Sequence, residues 1–205
     1  EVIKYFEDFR DRSYVCPAGY WSIGYGNRFW GPGDPIKAGD TITREQAETL
    51  LRTYIRTEVE PALGRCFTRN LTEGQRNAMA SFLYNFGESK VSRYPITRRI
   101  NDGQTPEATA RNLVQYNKIT DPETGVLRPL LGLHRRRMVE AAMYLDLPDP
   151  LRFKNVGWSQ TPDSVLIPEY RTMLASRPAP APIPEKPAEP SPPPPPPTSM
   201  EESVT

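Results

Sequence analysis

The sequence predicts an α+β fold in which a short helix and a β-hairpin come first and helices dominate the rest. Apolar residues between positions 2 and 9 recur at the spacing of one helix face. Trp21, Ile23 and Tyr25 then alternate with small or polar residues, as in a strand with one packed face. Farther along the chain, two capping sequences each open an apolar segment of helical period.

The first stretch carries three chemically useful side chains: a carboxylate at Glu7, a thiol at Cys16 and a hydroxyl at Ser22. Glu7 borders the apolar face of the first predicted helix. Because apolar surroundings disfavour a charged carboxylate, this position suits a residue that must hold and deliver a proton.

A hairpin is predicted to fold this stretch back toward the first helix. Pro17 disfavours helical angles at Cys16, and residues 16–19 have the Pro and Gly positions of a type I turn. The apolar face of the next strand would pack on the helix, so that Ser22 and Gly24 line the other face. Glycine leaves room there for a bulky molecule to approach the backbone.

This stretch resembles the signature of the phage-type lysozymes, glycoside hydrolase family 24. That signature is Glu, eight residues, Asp or Cys, five residues, Thr, and then Ile-Gly-Tyr-Gly-His. Glu7, Cys16 and Ser22 stand at these spacings, and residues 23–26 read Ile-Gly-Tyr-Gly. Two positions depart from the signature, because Ser22 replaces the Thr and Asn27 replaces the His. The resemblance implies that Glu7, Cys16 and Ser22 are catalytic.

The resemblance also implies a lysozyme-like architecture, with a small N-terminal β-hairpin lobe and a mainly helical C-terminal lobe joined by a long helix. Thr43 and Gln46 form a predicted capping box, and the helical period that follows runs up to Pro61. The resemblance assigns this helix to the connection between the lobes. A second cap at Thr72 opens a helix that is predicted to stop at Gly87.

Two later segments, residues 71–87 and 132–140, also resemble the family. In the first segment, the ring of Tyr84 and the amide of Asn85 would face the sugar groove. Ordinary helix packing and capping would explain the same two residues. In the second, Arg136 and Glu140 are four apart, so a substrate contact and an internal ion pair are both open. With the hairpin, these segments supply the residues predicted to bind substrate: Tyr84, Asn85, Gly24, Arg28 and Arg136.

Composition disfavours several other classes of protein. The net charge is +1 and no basic run suggests nucleic-acid binding. One His and two distant Cys make no metal-ligand cluster, and no cofactor is expected. A disulfide is not expected, because a helix of roughly 27 Å is predicted between the hairpin and Cys66. No apolar run approaches the ~18 residues of a membrane span, so membrane insertion is not expected.

We divide the chain into a lysozyme-like catalytic domain at 1–145, an extension with short helices at 146–177, and a proline-rich tail at 178–205. Six consecutive prolines in the tail favour polyproline II, which cannot build a core. We expect a partner chain, such as a phage structural protein, to hold this tail. The chain starts inside its first predicted helix and without Met, so we expect further residues upstream.

The resemblance implies a muramidase that hydrolyses the β-1,4 bond between N-acetylmuramic acid and N-acetylglucosamine in bacterial peptidoglycan. Glu7 would protonate the leaving sugar. Cys16 would be either a nucleophile, assisted by a cation such as Arg12 or Arg28, or a polar group that helps Ser22 hold an attacking water.

Two other activities remain open from the sequence. A non-catalytic wall-binding or structural protein on a lysozyme scaffold is suggested by the changes at Ser22 and Asn27. A lytic transglycosylase would need one acid/base and no water-activating partner. The setting is either a phage virion, in the tail or baseplate, or the host cytoplasm and then the periplasm, where a released endolysin reaches the wall.

Overall fold

A computed structural model describes residues 1–16, 19–121 and 123–176. In these ranges helices dominate and the strands form three two-stranded antiparallel sheets, which confirms the predicted α+β class. The tail at 178–205 lies outside the described residues. The helices are α1 (Val2–Glu7), α2 (Arg44–Tyr54), α3 (Glu60–Cys66), α4 (Glu73–Phe86), α5 (Glu88–Val91), α6 (Pro95–Asn101), α7 (Pro106–Val114), α8 (Leu131–Tyr144) and α9 (Ile167–Ala175). The strands are β1 (Arg10–Val15), β2 (Trp21–Gly24), β3 (Phe29–Gly31), β4 (Asp34–Pro35), β5 (Lys118–Thr120) and β6 (Leu127–Pro129).

The small lobe is built around the predicted hairpin. Helix α1 ends at Glu7, and the next residue, Asp8, has a φ of 57° that turns the chain into β1. Strands β1 and β2 pair antiparallel, and Ile23 and Tyr25 are buried as predicted. The prediction was wrong for Trp21, which is 38% exposed at the start of β2. The core of this lobe consists of Ile23, Tyr25, Ile36, Ile42, Ala47 and Leu51.

A long helical segment joins the lobes, as the resemblance implied. The capping box of Thr43 and Gln46 is confirmed at its start. The segment does not end at Pro61 as predicted, but passes from α2 through a π-helical turn at Ile55–Val59 into α3. Proline lacks an N–H and clashes with the carbonyl four residues earlier in a regular α-helix. The wider π turn directly before Pro61 lets the chain continue without that contact.

The large lobe packs α3, α4, α6, α7 and α8 around one core. The capping box at Thr72 and the end of α4 at Gly87, where φ is 78°, are both confirmed. Ile55 and Tyr84 pack against the cores of both lobes. These two side chains therefore fix the joining helix and α4 relative to the hairpin.

The segment after Leu145 contains the short helices that were expected. They are a 3₁₀ helix at Pro150–Asn155, a π-helical turn at Pro162–Leu166, and α9. Four of its side chains are at most 5% exposed and belong to the core of the large lobe: Leu147, Val156, Leu166 and Ile167. The extension therefore completes this core.

Candidate active site

Glu7 lies at the C-terminal end of α1, with its side chain 22% exposed. Its Oε1 is 2.5 Å from Nη1 of Arg136. Its Oε2 faces Gly26, where a Cβ would lie 3.5 Å from that oxygen. Gly26 has a φ of +90°, which L side chains rarely adopt. One carboxylate oxygen is therefore held by an arginine, and the other faces a backbone that carries no side chain.

The hairpin places Tyr14 and Ser22 on one of its faces. Tyr14 lies directly opposite Ser22 across the strands, so the two side chains share a face. Burial raises the pKa of the Tyr14 phenol, and the charges of Glu7 and then Cys16 raise it further. Tyr14 is therefore within electrostatic reach of both, and its neighbour Ser22, 2% exposed, lies on the same side of the hairpin.

Tyr14 is the residue that the sequence reasoning missed. The predicted turn did not give its position, because counting outward from a turn at residues 16–19 sets Tyr14 opposite Trp21. The observed register lies one residue farther along β2, since the Cys16 N–H bonds to the Tyr20 carbonyl, and it sets Tyr14 opposite Ser22.

Cys16 is partly buried where β1 leads into the turn. Its backbone N–H donates to the Tyr20 carbonyl at 2.9 Å, and its own carbonyl accepts from the Gly19 N–H at 2.8 Å. Neither cysteine takes part in a disulfide. Cys66 lies in the core of the large lobe, where burial raises the pKa of its thiol. In the described ranges no group of three His, Cys, Asp or Glu side chains could hold a metal ion.

A groove of about 570 Å³ lies between the lobes and reaches Gly26, next to Glu7. The hairpin lobe, the joining helix and α4 each contribute one wall. Aromatic rings from all three walls give it flat apolar surfaces of the kind on which sugar rings stack. The lining aromatic residues are Phe29, Trp30, Tyr54, Tyr84 and Phe86.

Three of the residues predicted to bind substrate line this groove. The Tyr84 hydroxyl donates to the Tyr25 carbonyl at 2.7 Å, which fixes the orientation of its ring. Asn85 accepts a hydrogen bond from Arg137 through its Oδ1, at 3.0 Å. Arg28 lies over the ring of Tyr20, 3.5 Å from its centroid.

Gly24 has a different position from the one predicted. It is buried with a φ of +62°, and a Cβ there would lie 3.0 Å from Cβ of Ala47 on α2. The space left by its missing side chain is therefore occupied by the protein's own helix. Gly26, two residues on, is the glycine that borders the groove.

Arg136 was predicted to bind substrate, and its position is also different. It is 3% exposed, and its guanidinium binds the carboxylates of Glu7 and Glu140 and the Ser81 carbonyl. The alternative that the sequence left open, an ion pair with Glu140 one turn away, is the one observed, at 3.2 Å. Its contact with Glu7 makes it a partner of that carboxylate instead.

Asn27, which stands where the resembling family has His, closes the turn after β2. Its backbone N–H donates to the Ile23 carbonyl at 3.0 Å, and its carbonyl accepts from the Ile23 N–H at 2.9 Å. The residue is 4% exposed. These bonds hold Gly26 in place beside Glu7.

A carboxylic acid at a helix end, facing a hairpin beside an aromatic groove between two lobes, is the arrangement of a lysozyme-like glycoside hydrolase. Similarity to known proteins agrees with this class. The family model described as Phage lysozyme matches residues 4–140, and the chain belongs to that family.

Known proteins of this kind are similar over most of their length. The endolysin of Acyrthosiphon pisum secondary endosymbiont phage 1 is 32% identical over 143 residues, which cover 70% of this chain and 92% of that protein. Among solved structures, the endolysin from Escherichia coli O157:H7 phage FAHEc1 has a TM-score of 0.63 and 32% identity, covering 72% of this chain and 92% of its own. The muramidase domain of SpmX from Asticaccaulis excentricus has a TM-score of 0.62 and 30% identity, and the match covers 70% of this chain and 92% of that domain.

Proposed function

We propose that this protein is a muramidase that hydrolyses the β-1,4 bond between N-acetylmuramic acid and N-acetylglucosamine in bacterial peptidoglycan. Membership of the phage lysozyme family makes it a lysozyme-type glycoside hydrolase. Similarity to endolysins and to a muramidase domain supports peptidoglycan as the substrate. The carboxylate of Glu7 beside Gly26, a residue that lines the groove, carries the proposal.

Glu7 is proposed as the general acid. Its Oε2 faces Gly26 at the groove, whereas its Oε1 is bound to Arg136 at 2.5 Å. When the proton passes from Glu7 to the leaving sugar oxygen, the sugar develops oxocarbenium character and Glu7 becomes negatively charged. Arg136 is already placed to stabilise that charge through a charge-assisted hydrogen bond.

Cys16 and Ser22 are proposed to hold the attacking water, so that the anomeric configuration inverts. An ordinary thiol is mostly protonated at neutral pH, which suits a hydrogen-bonding group better than a nucleophile. The pairing of Ser22 with Tyr14 supports a place for its hydroxyl on the side of Glu7. Proton NMR of freshly cleaved glycan would give the configuration, and a retained configuration would make Cys16 the nucleophile. If the enzyme inverts, Cys16→Ser should lose little activity. If Cys16 is the nucleophile, the same substitution should abolish nearly all activity.

The experiment that tests the acid is Glu7→Gln, assayed by release of reducing ends from purified peptidoglycan. We expect the rate to fall by a factor on the order of 10² or more, because a general acid contributes this much. Glu60→Gln, an exposed carboxylate of α3, is the matched control and should keep the parental rate. A Glu7→Gln variant with the parental rate would remove Glu7 from the mechanism.

The same assay separates the rival activities. A lytic transglycosylase would release anhydro-muramic ends in place of reducing ends. A non-catalytic wall-binding protein would sediment with peptidoglycan and release neither. Reducing ends from the parental chain would exclude both.

We propose that the protein acts as an endolysin that reaches the wall from inside the host cell. The relatives named endolysins support this setting. The virion setting rests on a partner for residues 178–205, which lie outside the described residues, so it stays a prediction. Among the described helices none is long and apolar enough to span a membrane.

A further inference from the structure

We infer that Glu140 is a positioning residue for both halves of the active site. Through Arg136 it holds the acid Glu7, and through Arg137 it orients Asn85 in the groove, so that Asn85 offers N–H donors to an acceptor oxygen of the sugar chain. This inference rests on the proposed muramidase function.

Glu140 is fully buried in α8 and is surrounded by donors. Its Oε1 accepts from the Ser81 hydroxyl at 2.7 Å, from Nη2 of Arg137 at 2.9 Å and from Nε of Arg136 at 3.2 Å. Its Oε2 lies 2.8 Å from Nε of Arg137 in an ion pair whose N–H is not aligned for a hydrogen bond. One buried carboxylate therefore fixes two guanidinium groups.

The first branch leads to the acid. Arg136 is held by Glu140 through Nε and by the Ser81 carbonyl through Nη2, and it reaches Glu7 through Nη1. With both other nitrogens occupied, the guanidinium plane is fixed. The position of the Glu7 carboxylate is therefore set from α8 as well as from its own helix.

The second branch leads to the groove. Nη2 of Arg137 donates to Glu140 and also to Oδ1 of Asn85, at 3.0 Å. Arginine can only donate hydrogen bonds, so the oxygen of the Asn85 amide must face Arg137. Asn85 lines the groove, and its amide nitrogen is then the atom left for substrate. Two N–H donors match an acceptor such as an acetamido carbonyl or a sugar hydroxyl oxygen.

The charge of Arg137 explains why a carboxylate stands at position 140. Arg137 is 0% exposed and lies about 5 Å from the ring centroids of Phe82 and Phe86. Burial lowers the pKa of Arg137 to about 10, so the side chain is still charged at neutral pH. A buried cation without a counter-ion is strongly unfavourable. Glu140 supplies that counter-ion for Arg137, with its Oε2 2.8 Å from Nε of Arg137.

The test separates the two branches by steady-state kinetics on purified peptidoglycan. Arg137→Met should raise KM by about tenfold and leave kcat within about twofold, because it releases Asn85 while Glu140 keeps Arg136 and the Ser81 hydroxyl as partners. Arg136→Met should lower kcat by about tenfold or more and leave KM nearly unchanged. Glu140→Gln should change both. Ile100→Val, a core substitution in α6 outside this network, controls for loss of folded protein and should leave both constants unchanged.

A double-mutant cycle tests the orientation of Asn85 directly. Asn85→Ala and Arg137→Met should each weaken binding of an N-acetylglucosamine oligomer, and the double variant should bind no more weakly than either single one. Asn85→Asp preserves an acceptor for Arg137 but removes both donors, so it should fold normally and still bind weakly. Calorimetry in the Glu7→Gln background measures this without catalysis, so failure of the acid assignment and failure of this inference are distinguishable.

Three results would overturn the inference. Additive effects of Asn85→Ala and Arg137→Met would show that Arg137 does not act through Asn85. Parental binding by Asn85→Asp would show that the N–H donors are not used. Losses in all three buried-charge variants that simply follow the folded fraction, with no split between KM and kcat, would reduce Glu140 to a purely structural role.

Discussion

Replacing Gly24 by Ala should destabilise the small lobe without altering the chemistry of the site. Gly24 ends β2 with a φ of +62°, and a Cβ there would lie 3.0 Å from Cβ of Ala47. Ala47 is fully buried in α2, so it cannot swing away as a long flexible side chain could. The substitution therefore combines a strained backbone with an overpacked contact between hairpin and helix.

The magnitude follows from these two contributions. A left-handed backbone costs an L residue about 1–2 kcal/mol relative to glycine. Overpacking of a buried contact typically adds about 1–3 kcal/mol. Gly39 has a similar φ of +85° but nothing within 4 Å of its would-be Cβ, so Gly39→Ala incurs only the first contribution. The difference between the two variants isolates the contact with Ala47.

Urea unfolding monitored by circular dichroism measures both free energies of unfolding. We expect Gly24→Ala to lose about 1–3 kcal/mol more than Gly39→Ala. Equal losses would refute the close approach of β2 to α2. Activity per folded molecule should be unchanged for Gly24→Ala, because its Cβ would face Ala47. A rise in KM with unchanged stability would instead place Gly24 in the groove.

Three further predictions concern the extension, the stability at acid pH and the two thiols. A chain cut after Leu145 loses four core side chains worth about 1.5–3 kcal/mol each, so it should show no cooperative unfolding. A chain cut after Ser176 should unfold like the full chain. Equal unfolding of the two truncated chains would place the boundary of the folded domain at residue 145. Hydrogen bonds from the backbone of its own turn lower the pKa of Asp121, so its stabilisation is present above about pH 4 and lost as pH falls through the lowered value. Asp121→Asn should therefore flatten the fall in unfolding free energy below pH 4, and an unchanged slope would contradict this. A disulfide reagent should label Cys16 in the native protein and Cys66 only after denaturation, since burial raises the pKa of Cys66 and blocks access; equal labelling rates would contradict its burial.

Local features of this protein were readable from its sequence. The caps at Thr43 and Thr72 are hydrogen bonds within four residues, and both occur as predicted. The positions of Glu7, Cys16 and Ser22 along a helix end, a turn and a strand follow from short-range rules and from the spacing that resembles the family. These features depend on few neighbours in space, so the chain order is sufficient to predict them.

Contacts between distant segments were decided only by the tertiary structure. Arg136 reaches Glu7 across 129 positions of sequence, so the periodicity of α8 revealed its pair with Glu140 but not its pair with the acid. Gly24 and Gly26 are both glycines with positive φ, yet one meets a helix and the other meets a carboxylate. Sequence spacing specifies which residues are available to the site. Packing between the lobes determines which surface each residue meets, because burial and charge pairing depend on neighbours that lie far away along the chain.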